Sequence, residues 1–174
     1  RDEAARANIR RYMRQNPENY AAVMHGGEPQ SIGNTALLDM PKVGFLASRG
    51  QDALHGNLPI KPGEAIISGF LSPMERAVFR AGLAHKRPMI WVLPAGFDAL
   101  DGNTTCRVAI DEGRLLVLSP FDRALDAPNA RRAAWCNQYV LAHCNRAVVG
   151  HLNPDGMLAC ILHEADPDKE VVRP

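Results

Sequence analysis

Several features that identify a class of protein are absent from this chain of 174 residues. Its net charge is only +1, so no overall basic field points to nucleic acid, and only a local basic patch could serve that role. No apolar run approaches the roughly 20 residues that span a bilayer, and the start of the chain has no signal-peptide pattern. We therefore expect no membrane partner.

Cysteine is scarce and is not arranged for metal binding. No two cysteines form a C-x-x-C pair, and a zinc site would need tighter clustering. We expect reduced, structural thiols, as in a cytoplasmic protein, and we assign no metal and no cofactor. The cysteines are Cys106, Cys136, Cys144 and Cys160.

The chain is long enough for one domain with a sizeable core. We predict an extension over residues 1–40 and a folded domain over residues 41–174. Within the extension, residues 2–14 have the pattern of an amphipathic helix, and residues 26–34 have the composition of a loop. Four arginines make the helix locally basic, as a solvated outer face or as an arm that contacts phosphate. They are Arg6, Arg10, Arg11 and Arg14.

Continuous apolar runs of four to six residues, typical of buried parallel strands, recur along the domain. They cover residues 43–47, 65–70, 88–93, 114–118 and 147–151. Helical patterns separate several of them. One begins at a capping box formed by Ser72, Pro73 and Glu75, a second covers residues 129–143, and residues 157–162 fit either a helix or a strand. This alternation predicts an α/β fold with an open, mostly parallel sheet of about five or more strands and helices on both faces.

Ligands of such sheets bind beyond the carboxyl ends of the strands, at a topological switch point. Ser48, Arg49 and Gly50 follow the first predicted strand, and Ser68 and Gly69 end the second just before the helix capped by Ser72. A helix start favours an anion, and an arginine adds a fixed positive charge. We therefore predict a phosphate site at this joint, although Ser72 could serve only as a helix cap.

The segments KVGFLASRG, AIISGFLSPMERAVFRAGLAHKRPMIWVLPAGFD, GRLLVLSPF and WCNQYVLAHCNRAVVGH resemble, in order and spacing, the Rossmann-like domain of the DNA-processing proteins DprA/Smf. The superfamily also contains the LOG-type nucleotide-processing enzymes. The resemblance covers about residues 41–156. It implies a Rossmann fold, binding of single-stranded DNA, a role in DNA recombination, and pairing into homodimers. The strand ends and the resemblance together give the predicted nucleotide- or phosphate-binding residues, which are Ser48, Arg49, Gly50, Ser68, Gly69, Ser72, Gly96, Ser119 and Asn137.

The chain departs from the family pattern at several places. Phe70 to Glu75 stand where DprA usually has G-x-A-x-G-I-D, and Gln138 replaces the arginine after Asn137. His151 takes the place of an acidic residue. No winged-helix tail is recognisable, and the LOG signature P-G-G-x-G-T-x-x-E is absent. These differences indicate a divergent, single-domain relative.

Three functions fit these observations. The first is a DNA-binding or nucleotide-binding protein without chemistry, and the second is a hydrolase that acts on a nucleotide. The third is a sensor of a signalling nucleotide. A hydrolase would need a general acid or base, for which the candidates are Glu75, Asp98, His151 and Asp155. We find no pair of nucleophile and base, so we assign no catalytic residue and expect binding rather than catalysis.

Overall fold

The structure is a computed structural model that describes residues 29–50, 53–54, 56–125 and 127–174. These residues form seven strands, four α-helices and two short 3-10 helices, at Thr35–Asp39 and Phe97–Leu100. The strands are β1 (Gln30–Gly33), β2 (Lys42–Ala47), β3 (Ala65–Ser68), β4 (Met89–Val92), β5 (Leu115–Ser119), β6 (Arg146–His151) and β7 (Glu170–Val172). The helices are α1 (Pro73–Ala84), α2 (Thr104–Asp111), α3 (Ala130–His143) and α4 (Met157–Glu164).

All seven strands belong to one sheet, in the order β1-β5-β4-β3-β2-β6-β7. Neighbouring strands are parallel except β1, which is antiparallel to β5. The predicted open, mostly parallel sheet is therefore confirmed. The apolar runs are continuous because helices cover both faces of the central strands.

Alternate side chains of the central strands feed two separate cores. On one face, Ile67 and Ile90 pack with Val140 of α3 and Ile161 of α4. On the other face, Ile66 and Met89 pack with Val78 of α1 and Ala109 of α2. The predicted arrangement of helices on both faces is therefore confirmed.

The order in which the chain adds strands to the sheet reverses at β2. Strands β3, β4 and β5 follow one another on one side of β2, and the chain then returns to place β6 and β7 on the other side. Right-handed crossovers put α1 and α2 on one face and α3 and α4 on the opposite face. The carboxyl ends of β2 and β6 therefore flank the topological switch point, where open α/β sheets bind ligands.

Several sequence predictions need correction or extension. The five predicted strands and the two clear helices are present within about two residues of their expected limits. Residues 30–33, predicted as part of a loop, form β1 at the sheet edge, and α2 was not predicted. Residues 157–162 are helical. The helix predicted for residues 2–14 lies outside the described residues. The boundary between extension and domain at residue 41 stays a prediction. Strand β1 precedes this boundary in the chain and belongs to the sheet.

The four cysteines are buried as free thiols, as expected for structural residues. Burial raises the pKa of the Cys136 thiol well above its ordinary value. Among the described residues, no helix is long and apolar enough to cross a bilayer.

One ion pair closes the amino-terminal edge of the sheet. Arg146, at the start of β6, donates two hydrogen bonds to the Glu64 carboxylate, at 2.9 and 2.7 Å, and both side chains are 11% exposed. The arginine lowers the pKa of Glu64. The contribution of this carboxylate to stability is therefore present above its ordinary pKa and lost as the pH falls through the lowered value.

We expect Glu64→Gln to lower the free energy of unfolding by about 2 kcal/mol near neutral pH, because the charged hydrogen bonds to Arg146 are lost. The difference from wild type should shrink below about pH 4, where the carboxyl takes up a proton. Urea unfolding at both pH values measures this difference. A difference in unfolding free energy of the same size at both pH values would contradict the assigned role of Glu64.

Candidate functional site

A cleft of about 440 Å³ opens at the carboxyl edge of the sheet, at the switch point. The end of β2 and Asn153, which follows β6, form its floor, and residues at the starts of α1, α3 and α4 form its walls. Three helix starts therefore face one cavity. The lining residues are Ala47, Ser48, Arg49, Leu71, Ser72, Glu75, Pro128, Asn129, Ala130, Ala133, Asn137, Asn153, Gly156, Met157 and Leu158.

Arg49 and Ser48 stand at the end of β2, as the sequence predicts. The backbone N–H of Ser48 donates to the His151 carbonyl at 2.8 Å, and the Ser48 hydroxyl oxygen accepts from the Asn153 N–H at 3.0 Å. These bonds join the ends of β2 and β6. Arg49 is exposed, and within the described ranges its guanidinium has no hydrogen bond and no ion pair. Its charge is therefore available to a ligand in the cleft.

Glu75 lies in the wall that the start of α1 forms, and this residue is only 3% exposed. One carboxylate oxygen accepts hydrogen bonds from the Ala47 N–H at 3.0 Å and the Ser72 hydroxyl at 3.0 Å. The other oxygen accepts from the Leu71 N–H at 3.1 Å and the Ser68 hydroxyl at 3.4 Å. Glu75 thus ties the end of β2 to the start of α1. Burial raises the pKa of this carboxyl, although all four hydrogen bonds oppose that shift.

The joint between β3 and α1 is consequently not the open phosphate site that the sequence predicts. The Glu75 carboxylate occupies the position beside the helix start where an external anion would bind. Ser72 lines the cleft and also caps α1, because its hydroxyl oxygen accepts from the Glu75 N–H at 3.3 Å. Because the Ser72 hydroxyl also donates its hydrogen to Glu75, the geometry favours the interpretation of Ser72 as a helix cap.

Ser68 and Gly69 lie beneath the cleft surface and do not line it. Ser68 is fully buried, and its hydroxyl oxygen also accepts from the Phe70 N–H at 3.1 Å. A Cβ on Gly69 would meet the Cys136 Cβ at an ordinary 3.4 Å. The backbone strain at this corner falls on Phe70, which is buried with a φ of 48°. Ser68 and Gly69 therefore shape the joint without direct access to a ligand.

Three asparagines give the cleft neutral hydrogen-bond donors. Asn129 caps α3, since its side-chain oxygen accepts from the Arg132 N–H at 2.9 Å. The side-chain oxygen of Asn153 accepts from the Asp155 N–H at 3.1 Å. Among the described residues no hydrogen bond uses the N–H hydrogens of these two amide groups, so they are available to a ligand. The side chain of Asn137, a predicted site residue, makes no hydrogen bond within the described part of the chain.

The wall at α4 offers backbone donors. Its N-cap is Gly156, which has no side chain to satisfy the first N–H groups of the helix. Gly156, Met157 and Leu158 all line the cleft. Such a helix start attracts an anion through these N–H groups and through its partial positive charge.

Three other predicted site residues do not line the cleft. Gly50 has a φ of 126°, a left-handed value that favours glycine, and its Cα lies next to the ring of His151. Ser119 is 1% exposed, and its hydroxyl donates to the Ala95 carbonyl at 2.6 Å. Gly96 is buried where the loop after β5 passes close to its Cα. Gly96 and Ser119 hold that loop, which leads to Asn129.

The candidates for a general acid or base are scattered. Glu75 lines the cleft, but both of its oxygens already accept two hydrogen bonds. Asp98 accepts a hydrogen bond from Arg123 at 3.0 Å, outside the cleft. His151 and Asp155 flank the cleft without lining it. In the described ranges, no group of three or more potential metal ligands is present.

Sequence reasoning missed Asn129, Asn153 and the start of α4 as parts of the site. Asn129 could have been predicted as a site residue, because it is the first residue of the second predicted helix. Asn153 and Gly156 follow the fifth predicted strand, so the rule on strand ends pointed to that segment.

No protein-family model matches the chain, and no curated protein matches it in sequence. Solved structures do match. DNA processing protein A (DprA) from Streptococcus pneumoniae matches with a TM-score of 0.62 and 19% identity, over 82% of this chain and 53% of that protein. DprA from Helicobacter pylori matches with a TM-score of 0.56 and 18% identity, over 76% of this chain and 64% of that protein. The second structure is described as giving insight into a unique mode of binding single-stranded DNA.

These similarities confirm the predicted DprA-like, Rossmann-like fold. The chain spans about half the length of the pneumococcal protein. With identities below 20%, the similarity shows a shared fold and nothing further.

Proposed function

We propose that the cleft binds phosphate groups of single-stranded DNA, with Arg49 as the fixed cation. The observation that carries the proposal is the convergence of Arg49, Asn137 and the start of α4 on one cleft at the switch point. Arg49 would form a charge-assisted hydrogen bond to a phosphate oxygen, and the amides and backbone N–H groups would complete its coordination. None of these contacts depends on the base, so affinity would be independent of sequence.

The likeness to DprA supports this choice of ligand, because the Helicobacter pylori protein is described as binding single-stranded DNA. In this proposal the protein takes part in DNA processing and recombination and acts in the cytoplasm. Pairing into a homodimer stays a prediction.

A single nucleotide is the second candidate ligand, favoured by the size of the cleft. A volume of about 440 Å³ lies in the usual range of small-molecule pockets, about 300–1,000 Å³. A nucleotide sensor and a nucleotide hydrolase would both use such a site. Turnover of the bound nucleotide would separate the hydrolase from the sensor.

The direct test is a fluorescence titration of the protein with labelled oligothymidine of about 20 residues and with thymidine monophosphate, at two salt concentrations. We expect tight oligonucleotide binding that weakens steeply as salt rises, and weak binding of the mononucleotide. If only the mononucleotide binds, the second candidate replaces the first. If neither ligand binds, the proposed function is wrong.

We expect Arg49→Ala to weaken oligonucleotide binding about ten- to a hundredfold, because charged hydrogen bonds contribute about 1.5–3 kcal/mol. Arg49→Lys should fall between this variant and wild type, since a lysine keeps the charge but loses the planar fork. Arg107→Ala, at an exposed position on α2, is the matched control and should change affinity little. Equal affinities for Arg49→Ala and Arg107→Ala would remove Arg49 from the site. Arg49 is exposed, so thermal unfolding should be nearly unchanged in both variants.

A further inference from the structure

The side chains that line the cleft carry little charge. Among the fifteen described residues of the lining, Arg49 is the one cation and Glu75 is the one acidic residue. The other polar side chains are neutral and belong to two serines and three asparagines. The lining therefore has a side-chain charge of +1 when the Glu75 carboxyl is protonated and of zero when it is ionised.

The three helix starts add less positive charge than their number suggests. The start of α1 already faces Glu75, which accepts from the Leu71 N–H at 3.1 Å and from the Ser72 hydroxyl at 3.0 Å. The start of α3 is capped by the side chain of Asn129. Of the three, the start of α4 has Gly156 as its N-cap and no side-chain cap. One open helix start adds about +0.5, so the cleft offers a ligand roughly +0.5 to +1.5 in all.

We infer that the cleft selects phosphates with a single negative charge, and so holds the internal phosphodiesters of a DNA strand in preference to terminal phosphates and free nucleoside monophosphates. This inference rests on the proposed function and adds the charge of the phosphate as the feature that is recognised. An internal phosphate of a strand is a diester with one negative charge. A terminal phosphate is a monoester, with a charge of about −1.5 to −2 at pH 7.

Electrostatics disfavours the second charge of a monoester in this cleft. The cost of removing an ion from water rises with the square of its charge, whereas its attraction to a single guanidinium rises only in proportion. A dianion would therefore lose more hydration than its attraction to Arg49 compensates. It would also face the carboxyl of Glu75, which lines the same cleft and is only 3% exposed. When that carboxyl is ionised, it repels a dianion more strongly than a monoanion.

Charged groups just outside the lining are mixed in sign. His151 ends β6, and Asp155 precedes α4. Arg131 and Arg132 lie in the first turn of α3, and Arg76 is an exposed residue of α1 next to Glu75. The field of these groups acts on any anion in the cleft, so a test of charge selection must compare two ligands on the same protein.

The test lets two small ligands compete with labelled oligothymidine of about 20 residues at constant ionic strength. Thymidine 5′-monophosphate is a monoester, and thymidine 5′-methyl phosphate is a diester of nearly the same size with one negative charge. At pH 8 the diester should displace the oligonucleotide at a concentration about fivefold lower or less, the effect of one poorly compensated charge. At pH 5 the monoester has taken up its second proton, whose pKa is about 6, so the two ligands should compete within about twofold.

A second cation in the cleft should shift the selection toward the monoester. Asn137 lines the cleft, and its side chain makes no hydrogen bond within the described part of the chain. We expect Asn137→Lys to raise the affinity for the monophosphate, relative to the methyl ester, about fivefold at pH 8. Gln138→Lys is the matched control, because it adds the same charge at the next position of α3, in a different groove, and should leave the ratio unchanged. If Asn137→Lys does not fold, Asn153→Lys places the cation at an exposed residue of the same lining.

Several results would overturn the inference. Equal competition by the two ligands at pH 8 would do so, and so would the failure of both to displace the oligonucleotide at millimolar concentration. An equal change of the ratio in Asn137→Lys and Gln138→Lys would show a general charge effect and would also overturn it. If oligothymidine binds and Arg49→Ala weakens that binding while the two ligands compete equally, the proposed function survives and only this inference fails.

Discussion

Glu75→Gln is expected to lower the free energy of unfolding by about 3 kcal/mol near pH 5. Each oxygen of the Glu75 carboxylate accepts one backbone N–H, from Ala47 on one side and from Leu71 on the other. A glutamine has only one oxygen, so either orientation of its amide turns an NH₂ group toward a buried backbone donor. That donor loses its hydrogen-bond partner beside a side chain that is only 3% exposed.

Urea unfolding, with the slope against denaturant compared as well as the midpoint, measures this effect. The control is Glu112→Gln, which makes the same chemical change at an exposed residue paired with Arg114 and should change the free energy of unfolding little. If the two substitutions cost the same, Glu75 is not the brace between β2 and α1. Glu75→Gln should also weaken DNA binding, because the displaced end of β2 carries Arg49.

The pH dependence of this variant has a definite sign. Burial raises the pKa of Glu75, so the folded state binds the proton more tightly than the unfolded state does. The contribution of the carboxyl to stability is therefore largest below its ordinary pKa of about 4.5 and falls as the pH rises through the raised value. The difference in unfolding free energy between wild type and Glu75→Gln should therefore shrink as the pH rises above about 4.5. Glu64 behaves in the opposite way, because Arg146 lowers its pKa.

The central part of the fold was predictable because burial on both faces leaves a strong signal. Strands such as β3 and β5 are wholly buried and appear in the sequence as unbroken apolar runs. The outer elements leave no such signal. Only Ile32 of β1 is even partly buried, and α2 buries only Cys106 and Ala109. An edge strand and a helix with so little apolar surface resemble loops in sequence.

The site was predictable to the extent that topology determines it. The ends of β2 and β6 meet at the switch point, so Arg49 could be assigned from its position after an apolar run. The joint after β3 differs from the prediction, because the group that accepts hydrogen bonds at the start of α1 is the carboxyl of the chain's own Glu75. The capping-box pattern correctly predicted that Ser72 caps the helix. It did not show that the carboxylate reaches across to Ala47 on a different strand.

Gly96 supports a wall of the cleft without lining the cleft itself. A Cβ at this position would lie 2.0 Å from the Asp122 carbonyl oxygen and 2.4 Å from the Arg123 carbonyl oxygen. The Gly96 N–H donates to the Leu125 carbonyl at 2.6 Å. The loop that leads from β5 to the cap of α3 is therefore held directly against the Cα of Gly96, where no larger residue fits.

Gly96→Ala is accordingly expected to cost about 3 kcal/mol or more in unfolding free energy, because the clash is with backbone that cannot rotate away. Gly69→Ala is the matched control, since its new methyl group makes only ordinary contacts, and it should cost less than about 1 kcal/mol. Denaturant unfolding of both variants measures the difference, and equal losses would contradict the close packing of the loop. If Gly96→Ala does not fold, Ser119→Ala tests the same attachment by removing the hydroxyl that bonds the Ala95 carbonyl, at a cost of about 1–2 kcal/mol. A loosened loop would shift Asn129 and the start of α3, so oligonucleotide affinity should fall with it, although Gly96 itself does not line the cleft.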